Sequence, residues 1–278
     1  MNQFGGKWTE QKIEMVVDYA KAYLTIMNKY PQFKTLYFDG FAGSGDIFRE
    51  DETDFDIIKG TALRILEITS PKTFDRYYFV EKDEGNRHQL EDTIKVSFSS
   101  RKYSVVNEDC NAKLLSMAEF LKTNKDYRVL AFVDPYGMAV DWTSIEALKG
   151  LGVDLWILVP TGMGVNRLLK NNFDISEAWL LRLERFLGLP RDMILAHFYK
   201  PKTVNTLFGP ETMMEKEKDA IQKAGELYSK RLSEVFQCVS EPFIMKNSTG
   251  TIMYHFMMAS NNKAAQKIAN DIIKPRYQ

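Results

Sequence analysis

Apolar positions along the chain repeat at two periods, one helical and one strand-like. From Thr9 onward Ile13, Val16, Val17, Ala20, Leu24 and Met27 fall on one helical face, and Pro31 closes the run, so the spacing predicts an amphipathic opening helix. Thr35-Leu36-Tyr37-Phe38 is short, rich in strand formers and runs straight into the glycine-bearing turn Asp39-Gly40-Phe41-Ala42-Gly43-Ser44-Gly45, which predicts a buried strand ending in a loop. The stretch Asp46 to Asp56 carries Asp46, Glu50, Asp51, Glu52, Asp54 and Asp56, and that density of acids predicts a solvated loop before a helix over about Ile57 to Ile68, ended by Pro71.

The alternation then continues. Strand-like runs Tyr77 to Val80, Tyr103 to Val106, Val129 to Val133 and Val153 to Val159 alternate with helical patterns near Glu84 to Ile94 and Ala112 to Leu121. A short helix follows Val129 to Val133, with Thr143 and Glu146 at capping-box spacing and Gly150 at its exit. Strand and helix in turn predict parallel strands joined by crossover helices, and continuous apolar character predicts strands covered on both faces. Near the end, Phe236 to Met245 and Thr251 to Ala259 are separated only by Lys246-Asn247-Ser248-Thr249-Gly250, too short for a parallel crossover, which predicts an antiparallel hairpin. The fold class expected is therefore α/β: a mostly parallel, Rossmann-like sheet finished by one hairpin, the architecture of class I methyltransferases. Residues 1–160 and 236–278 form that domain, and 161–235 reads as a helical insertion or substrate-facing region.

Composition narrows the classes. The 278 residues are 45% hydrophobic, enough for a sizeable core, and 37 basic residues balance 37 acidic ones, so any nucleic-acid surface has to be local. Cys110 and Cys238 form no C-x-x-C pair and His88, His197 and His255 no H-E-x-x-H pattern, so no metal site is expected and reduced, intracellular thiols are the simplest reading. Without a signal-like amino terminus or a run approaching the roughly 18 apolar residues of a membrane span, a cytoplasmic protein with no membrane association is expected. Asn247-Ser248-Thr249, a glycosylation acceptor by spelling, reads better as a turn.

In an open α/β sheet, ligands settle at the carboxyl ends of the strands. Here those ends read Asp39 to Gly45, Glu81-Lys82-Asp83, Asn107-Glu108-Asp109 and Asp134-Pro135-Tyr136-Gly137, each supplying a carboxylate. Gly43 and Gly45 allow positive φ and close approach of a ligand, while Gly40 and Ala42 keep the turn lean. A G-x-G without a third glycine is a poor dinucleotide fingerprint, and no G-K-[ST] makes a phosphate loop. An adenosine cofactor with a cationic centre fits better. Asp39 can face a sulfonium or amino group, Glu81 can take both ribose hydroxyls, and Asp109 can receive the adenine amino group.

The segment Phe38-Asp39-Gly40-Phe41-Ala42-Gly43-Ser44-Gly45 resembles the D-x-F-A-G-S-G motif of S-adenosylmethionine-dependent methyltransferases, especially those acting on nucleic-acid bases, and Gly5-Gly6-Lys7-Trp8 is similar to the amino-terminal motif of the adenine-N6 enzymes. The fuller pattern resembles the three-Cys-motif partner protein family: G-x-W-T-E-x-K, F-A-G-S-G, F-V-E-K-D, D-P-[FY]-G-M and D-L-W-I-L-V-P-x-G-x-G-V-N-R, from Lys7 to about Leu169. That resemblance implies a methyltransferase-like fold, S-adenosylmethionine as cofactor, and a protein partner encoded nearby. In base-amino methyltransferases the fourth strand ends in [DN]-P-P-[YFW]. Here it reads Asp134-Pro135-Tyr136, one proline short. The resemblance implies that Asp134 and the Pro135 carbonyl accept from the target amine and that Tyr136 stacks on the base, with DNA or RNA as substrate.

Two further stretches are candidates. Thr161-Gly162-Met163-Gly164-Val165-Asn166-Arg167 offers backbone donors and a cation to an anion, and His197-Phe198-Tyr199-Lys200-Pro201-Lys202 interleaves aromatics with lysines. The function expected is methyl transfer to a nucleic-acid base or nucleotide. The alternatives are a catalytically inactive methyltransferase-like binding subunit, or a nuclease using the strand-end carboxylates for metals.

Overall fold

The computed structural model of the chain describes residues 7–51, 54–171, 173–207 and 209–277. The chain opens on helix α1 (Lys7–Met27) and strand β1 (Lys34–Asp39), as the opening periodicity predicts. The acidic stretch then departs from expectation. In place of a loop the backbone makes an antiparallel hairpin, β2 (Asp46–Asp51) against β3 (Asp54–Lys59), in a register that sets Ile47 opposite Ile58 and Phe48 opposite Ile57. The Gly60 N–H closes the base of the hairpin on the Gly45 carbonyl at 2.7 Å. The helix expected from Ile57 is thereby shortened to α2 (Thr61–Leu66).

From there the alternation runs as predicted: β4 (Arg76–Val80), α3 (Glu84–Ser97), β5 (Tyr103–Val106), α4 (Cys110–Thr123), β6 (Tyr127–Val133), α5 (Trp142–Glu146) and β7 (Val153–Val159). After a π-helical turn at Thr161–Asn166 come α6 (Glu177–Leu187) and α7 (Arg191–Phe198). A two-stranded arm follows, β8 (Tyr199–Thr206) paired with β9 (Gly209–Lys216), and then α8 (Ala220–Val235). The stretch expected to be helical throughout is thus helical on either side of a hairpin. The chain ends with β10 (Cys238–Val239), β11 (Phe243–Lys246), β12 (Ile252–Ser260), α9 (Lys263–Ile273) and a 3-10 turn at Lys274–Tyr277.

The main sheet has the order β10-β12-β7-β6-β1-β4-β5, with β11 also pairing β12. Strands β5, β4, β1, β6 and β7 are parallel, and β12 enters antiparallel against β7 with His255 opposite Val159 and Ala259 opposite Leu155. The run expected as one strand from Phe236 is divided, because Pro242 cannot donate to a ladder. Ser240 bridges the gap: its N–H donates to the Met258 carbonyl at 2.7 Å and its Oγ accepts from the Met258 N–H at 2.9 Å. In the turn before β12, Asn247 Oδ1 accepts from the Thr249 and Thr251 N–H groups. This is the Rossmann-like class I methyltransferase fold expected from the sequence.

Two cores flank the sheet, and strand parity assigns each side chain to one of them. Val153, Leu155, Ile157 and Val159 face the core built with α4, α5, α6, α7 and α8, whereas Trp156 and Leu158 face the core built with α1, α2, α3 and α9. Each such fully buried aliphatic or aromatic side chain contributes about 1.5–3 kcal/mol. The same parity applies at the carboxyl ends. Tyr37 lies on the α1 side of β1, as do Leu130 and Phe132 on β6, so Asp39 and Asp134, one step further at the same parity, belong to the side that α1 covers. From β1 the chain winds outward to β4 and β5 and then returns to lay β6 and β7 on the other side of β1, so the switch point falls between β1 and β6, where these two acids stand. Among the described residues, no helix is long and apolar enough to cross a membrane.

Candidate cofactor and acceptor site

The turn after β1 is threaded between the ends of its two neighbours. The Gly40 N–H donates to the Phe132 carbonyl of β6 at 2.9 Å and the Ala42 N–H to the Val80 carbonyl of β4 at 3.0 Å. Gly40 is obligatory on space, since a Cβ there would lie 2.6 Å from Cys110 Sγ. Gly43 is obligatory on conformation: its φ is +63°, and nothing lies within 4 Å of where a side chain would start. The turn therefore presents a backbone surface to open space, with Phe41 and Ala42 packed back onto the two cores. Ser44 and Gly45 complete it, and Gly45, at φ +91°, sits against Leu63 and Leu90.

Four acids reach this rim in different states. Asp39 is 1% exposed, and its Oδ1 accepts from the Phe41 N–H at 3.2 Å and its Oδ2 from the Tyr37 hydroxyl at 3.1 Å. Burial raises its pKa to about 7 despite those two bonds, and the neighbouring Asp134 and Glu81 charges add to the rise. Glu81 is tied to the glycine turn, its Oε2 accepting from the Gly43 N–H at 2.9 Å and its Oε1 from the Asp83 N–H at 2.7 Å. A carboxylate has about four lone-pair sites, so both oxygens keep capacity for hydroxyl donors. Asp109 caps α4 through Oδ1, which accepts from the Asn111 and Ala112 N–H groups, while Oδ2 lies 4.0 Å from Lys82 Nζ. Asn107 bonds the Glu81 and Lys82 carbonyls through Nδ2, fastening the ends of β4 and β5 together. The structure thus brings Asp39, Gly43, Glu81 and Asp109 to one edge of the sheet, beside the open backbone at Gly43.

Asp134 belongs to the other half of the rim, where its Oδ2 forms an ion pair with Lys12 Nζ of α1. The lysine side chain is 7% exposed and the aspartate 25%. Around the pair lies a cavity of about 240 Å³ lined by Trp8, Thr9, Pro135, Tyr136, Leu158 and Tyr254 as well. Trp8 and Tyr254 form one wall, with ring centroids 5.7 Å apart, and Tyr136 stands 78% exposed at the mouth. Asp134, Pro135 and Tyr136 are therefore together, but with a partner that sequence reasoning missed. The signal for Lys12 was present: it lies three and four residues before Met15 and Val16, on the buried stripe of α1, where an unpartnered lysine is not tolerated. Of the amino-terminal motif, Gly5 and Gly6 lie outside the described residues.

Two expected sites do not form. In the turn after β7, the Gly164 and Val165 N–H groups both donate to the Pro160 carbonyl and the Arg167 N–H to the Gly164 and Val165 carbonyls, so those donors are spent internally. Thr161 is buried with its Oγ1 2.7 Å from His255 Nδ1, and a Cβ on Gly162 would fall 2.0 Å from the Ile252 carbonyl oxygen, which makes this turn a packing device. The aromatic and basic stretch is dismantled by the arm. Phe198 and Tyr199 are buried, and Lys200 and Lys202 pair with Glu217 and Glu215 across the hairpin. Among the described residues, no group of three or more His, Cys, Asp or Glu side chains is arranged to hold a metal ion.

No protein-family model matches the chain, and no curated protein does. Solved structures similar to it include a Legionella pneumophila protein, 14% identical over 93% of this chain and 99% of that one, at a TM-score of 0.45. An S-adenosylmethionine-dependent methyltransferase from Clostridium acetobutylicum is 10% identical over 88% and 92% of the two chains, at 0.37. Trm1 from Pyrococcus horikoshii, solved with S-adenosyl-L-methionine, is 12% identical over 91% of this chain and 63% of that one, at 0.36. The fold itself rests on the strand order.

Proposed function

We propose that the protein is an S-adenosylmethionine-dependent methyltransferase whose acceptor is the amine of a nucleic-acid base or nucleotide. One observation carries this reading: the open backbone at Gly43 is held by Glu81, and it shares a sheet edge with an aromatic-walled cavity that ends on the Asp134 carboxylate. Phe41 to Gly45, Glu81 and Asp109 hold the cofactor, with Glu81 on the ribose hydroxyls and Asp109 Oδ2 on the adenine amino group. When bound, S-adenosylmethionine supplies a methyl group already activated on sulfur. The chain's task is then positioning and exclusion of water. Asp134 accepts a hydrogen bond from the acceptor amine, which aims its lone pair, and the Pro135 carbonyl is the second acceptor. Trp8, Tyr254 and Tyr136 give the acceptor ring apolar and π surface. Asp39, buried at the neighbouring strand end, faces the cationic centre. The resemblance to the three-Cys-motif partner family supports the same assignment and adds a protein partner.

The test is transfer of labelled methyl from S-adenosylmethionine to total RNA, DNA and a nucleotide mixture. The expected result is labelled nucleic acid or nucleotide with the wild-type protein and none with Asp134→Ala. Binding of S-adenosylhomocysteine without labelled product on any acceptor, with co-purification of a protein partner, favours the inactive binding subunit instead. Absence of S-adenosylhomocysteine binding by calorimetry removes the cofactor assignment altogether.

A further inference from the structure

Lys12 is the group at this rim that the methyl-transfer chemistry does not use. On the functional reading above the Asp134 carboxylate accepts from the amine, and a cation lodged on that carboxylate weakens it as an acceptor. Yet the ammonium sits there, on the apolar stripe of α1, between a wall of Trp8 and Tyr254 and the end of β6. Among the described residues Asp134 is its one hydrogen-bond partner. An ammonium has three donors and no acceptor capacity, so two N–H bonds are left to be satisfied from the cavity side. Placing the acceptor amine on the other Asp134 oxygen increases that demand, because the aspartate charge is then shared between two donors. A neutral carbonyl or ring nitrogen answers it weakly; an anionic oxygen answers it with a charge-assisted bond about twice as strong.

We propose that Lys12 is a specificity-determining residue that reads an anionic oxygen on the acceptor, so that the substrate is an amine-bearing base carrying a phosphate and not the free base or nucleoside. This rests on the functional reading above and names the substrate class for the same cavity. Asp134 selects the amine and Lys12 the anionic oxygen, each from its own side of the ion pair. The phosphate belongs either to a free nucleotide or to a polynucleotide backbone; the chemistry at Lys12 is the same.

The experiment is calorimetric titration of the full chain, saturated with S-adenosylhomocysteine, with adenosine, cytidine, their monophosphates and a mixed-sequence single-stranded hexanucleotide. The wild-type protein is expected to bind the best phosphate-bearing probe at least about tenfold more tightly than the matched nucleosides. Lys12→Met is expected to bring that ratio to within about twofold, and Lys12→Arg to keep most of it. Preference for the monophosphates assigns a free nucleotide, and preference for the hexanucleotide alone assigns the polynucleotide backbone. Nucleosides binding as tightly as every phosphate-bearing probe, no phosphate-bearing probe binding, or an unchanged ratio in Lys12→Met overturns the proposal. Where Lys12→Met does not fold, Lys12→Gln is read in its place. Binding of S-adenosylhomocysteine is measured first on each protein. If it persists while the phosphate preference is absent, only the role of Lys12 fails; if the wild-type protein lacks it, the cofactor reading fails.

Discussion

Asp39 and Asp134 end adjacent strands on the same face of the sheet, and they are held in opposite ways. Asp39 is fully enclosed, makes no ion pair among the described residues, and is pushed by burial toward its neutral form. Asp134 is a quarter exposed and bound to an ammonium from a helix 122 residues earlier in the chain. One acid waits for a charge and the other already has one. On the functional reading proposed above, the cationic cofactor lies on the Asp39 side and the acceptor on the Asp134 side, and each prediction below either separates the two acids or merges them.

The largest effect is expected from neutralising each in turn. Asp134→Ala removes the side-chain acceptor altogether, so turnover should fall by roughly 10²–10⁴-fold, the range for loss of a positioned acid or base group, with S-adenosylhomocysteine affinity nearly unchanged. Asp39→Asn should do the reverse, lowering the affinity for cationic S-adenosylmethionine relative to neutral S-adenosylhomocysteine. Both measurements on both variants form the test: matching profiles would show that the two acids serve one function and end the comparison.

Protonation of Asp39 sharpens it. A carboxyl whose folded pKa is about 7 against an ordinary value of 3.8 keeps a proton in the native state that the unfolded chain has released. The native state binds more protons between those limits, so this group's contribution to stability is fully present below about pH 4 and is lost as pH rises through about 7. The size is on the order of 4 kcal/mol at about 1.4 kcal/mol per pH unit. Urea midpoints of wild type and Asp39→Asn at pH 5 and pH 8 should therefore diverge, the wild type losing more stability toward pH 8. Parallel curves would mean that Asp39 is ionised throughout. The same titration makes the affinity ratio of S-adenosylmethionine to S-adenosylhomocysteine rise between pH 6 and 8, since a cation is bound better by the ionised acid.

Lys12 and Asp134 are also coupled in stability. Removing one member of a buried pair strands the other, at about 3–5 kcal/mol for full burial; with Asp134 a quarter exposed, Lys12→Met should cost roughly 2 kcal/mol. Adding Asp134→Leu should recover most of it, because two apolar groups in place of an ion pair leave no stranded charge. A double variant no more stable than Lys12→Met would place the loss in packing of the lysine stem.

How much of this the sequence discloses depends on how local the cause is. Strand β7 is legible from its ends and its composition, because six of its seven positions are apolar and buried, on both faces, and that admits one reading. The glycine turn is legible for the same reason: positive φ at Gly43 and Gly45 and the missing space at Gly40 are written as glycines at those positions. Asp39, Glu81 and Asp109 follow, since parallel strands in series put their carboxyl ends on one edge. The partnership of Lys12 with Asp134 is not local. It depends on α1 lying across β6, a contact between elements that no spacing within either one encodes. The β2–β3 hairpin and the β8–β9 arm were hidden by composition, the first under its acids and the second under Lys200, Pro201, Lys202 and Thr203, which carry no alternation of apolar and polar positions.

The arm supplies the smallest expected effect and a control for the rest. Lys200 and Lys202 looked like the beginnings of a nucleic-acid surface, but Lys202 Nζ is 2.6 Å from Glu215 and Lys200 Nζ 2.8 Å from Glu217, in cross-strand pairs that leave little net charge. Neutralised lysines release few counterions from a polynucleotide, so they contribute little to affinity or to its salt dependence. Exposed pairs of this kind also contribute little to stability, because two long side chains lose freedom to make a bond that water and salt weaken. Lys202→Ala should therefore shift Tm by less than about 1–2 °C and leave methyl transfer to any nucleic-acid acceptor within about twofold. Lys12→Met, measured beside it, should change acceptor binding strongly. Should Lys202→Ala prove the more damaging to acceptor binding, the recognition surface lies on the arm and the cavity between α1 and β6 has been given the wrong role.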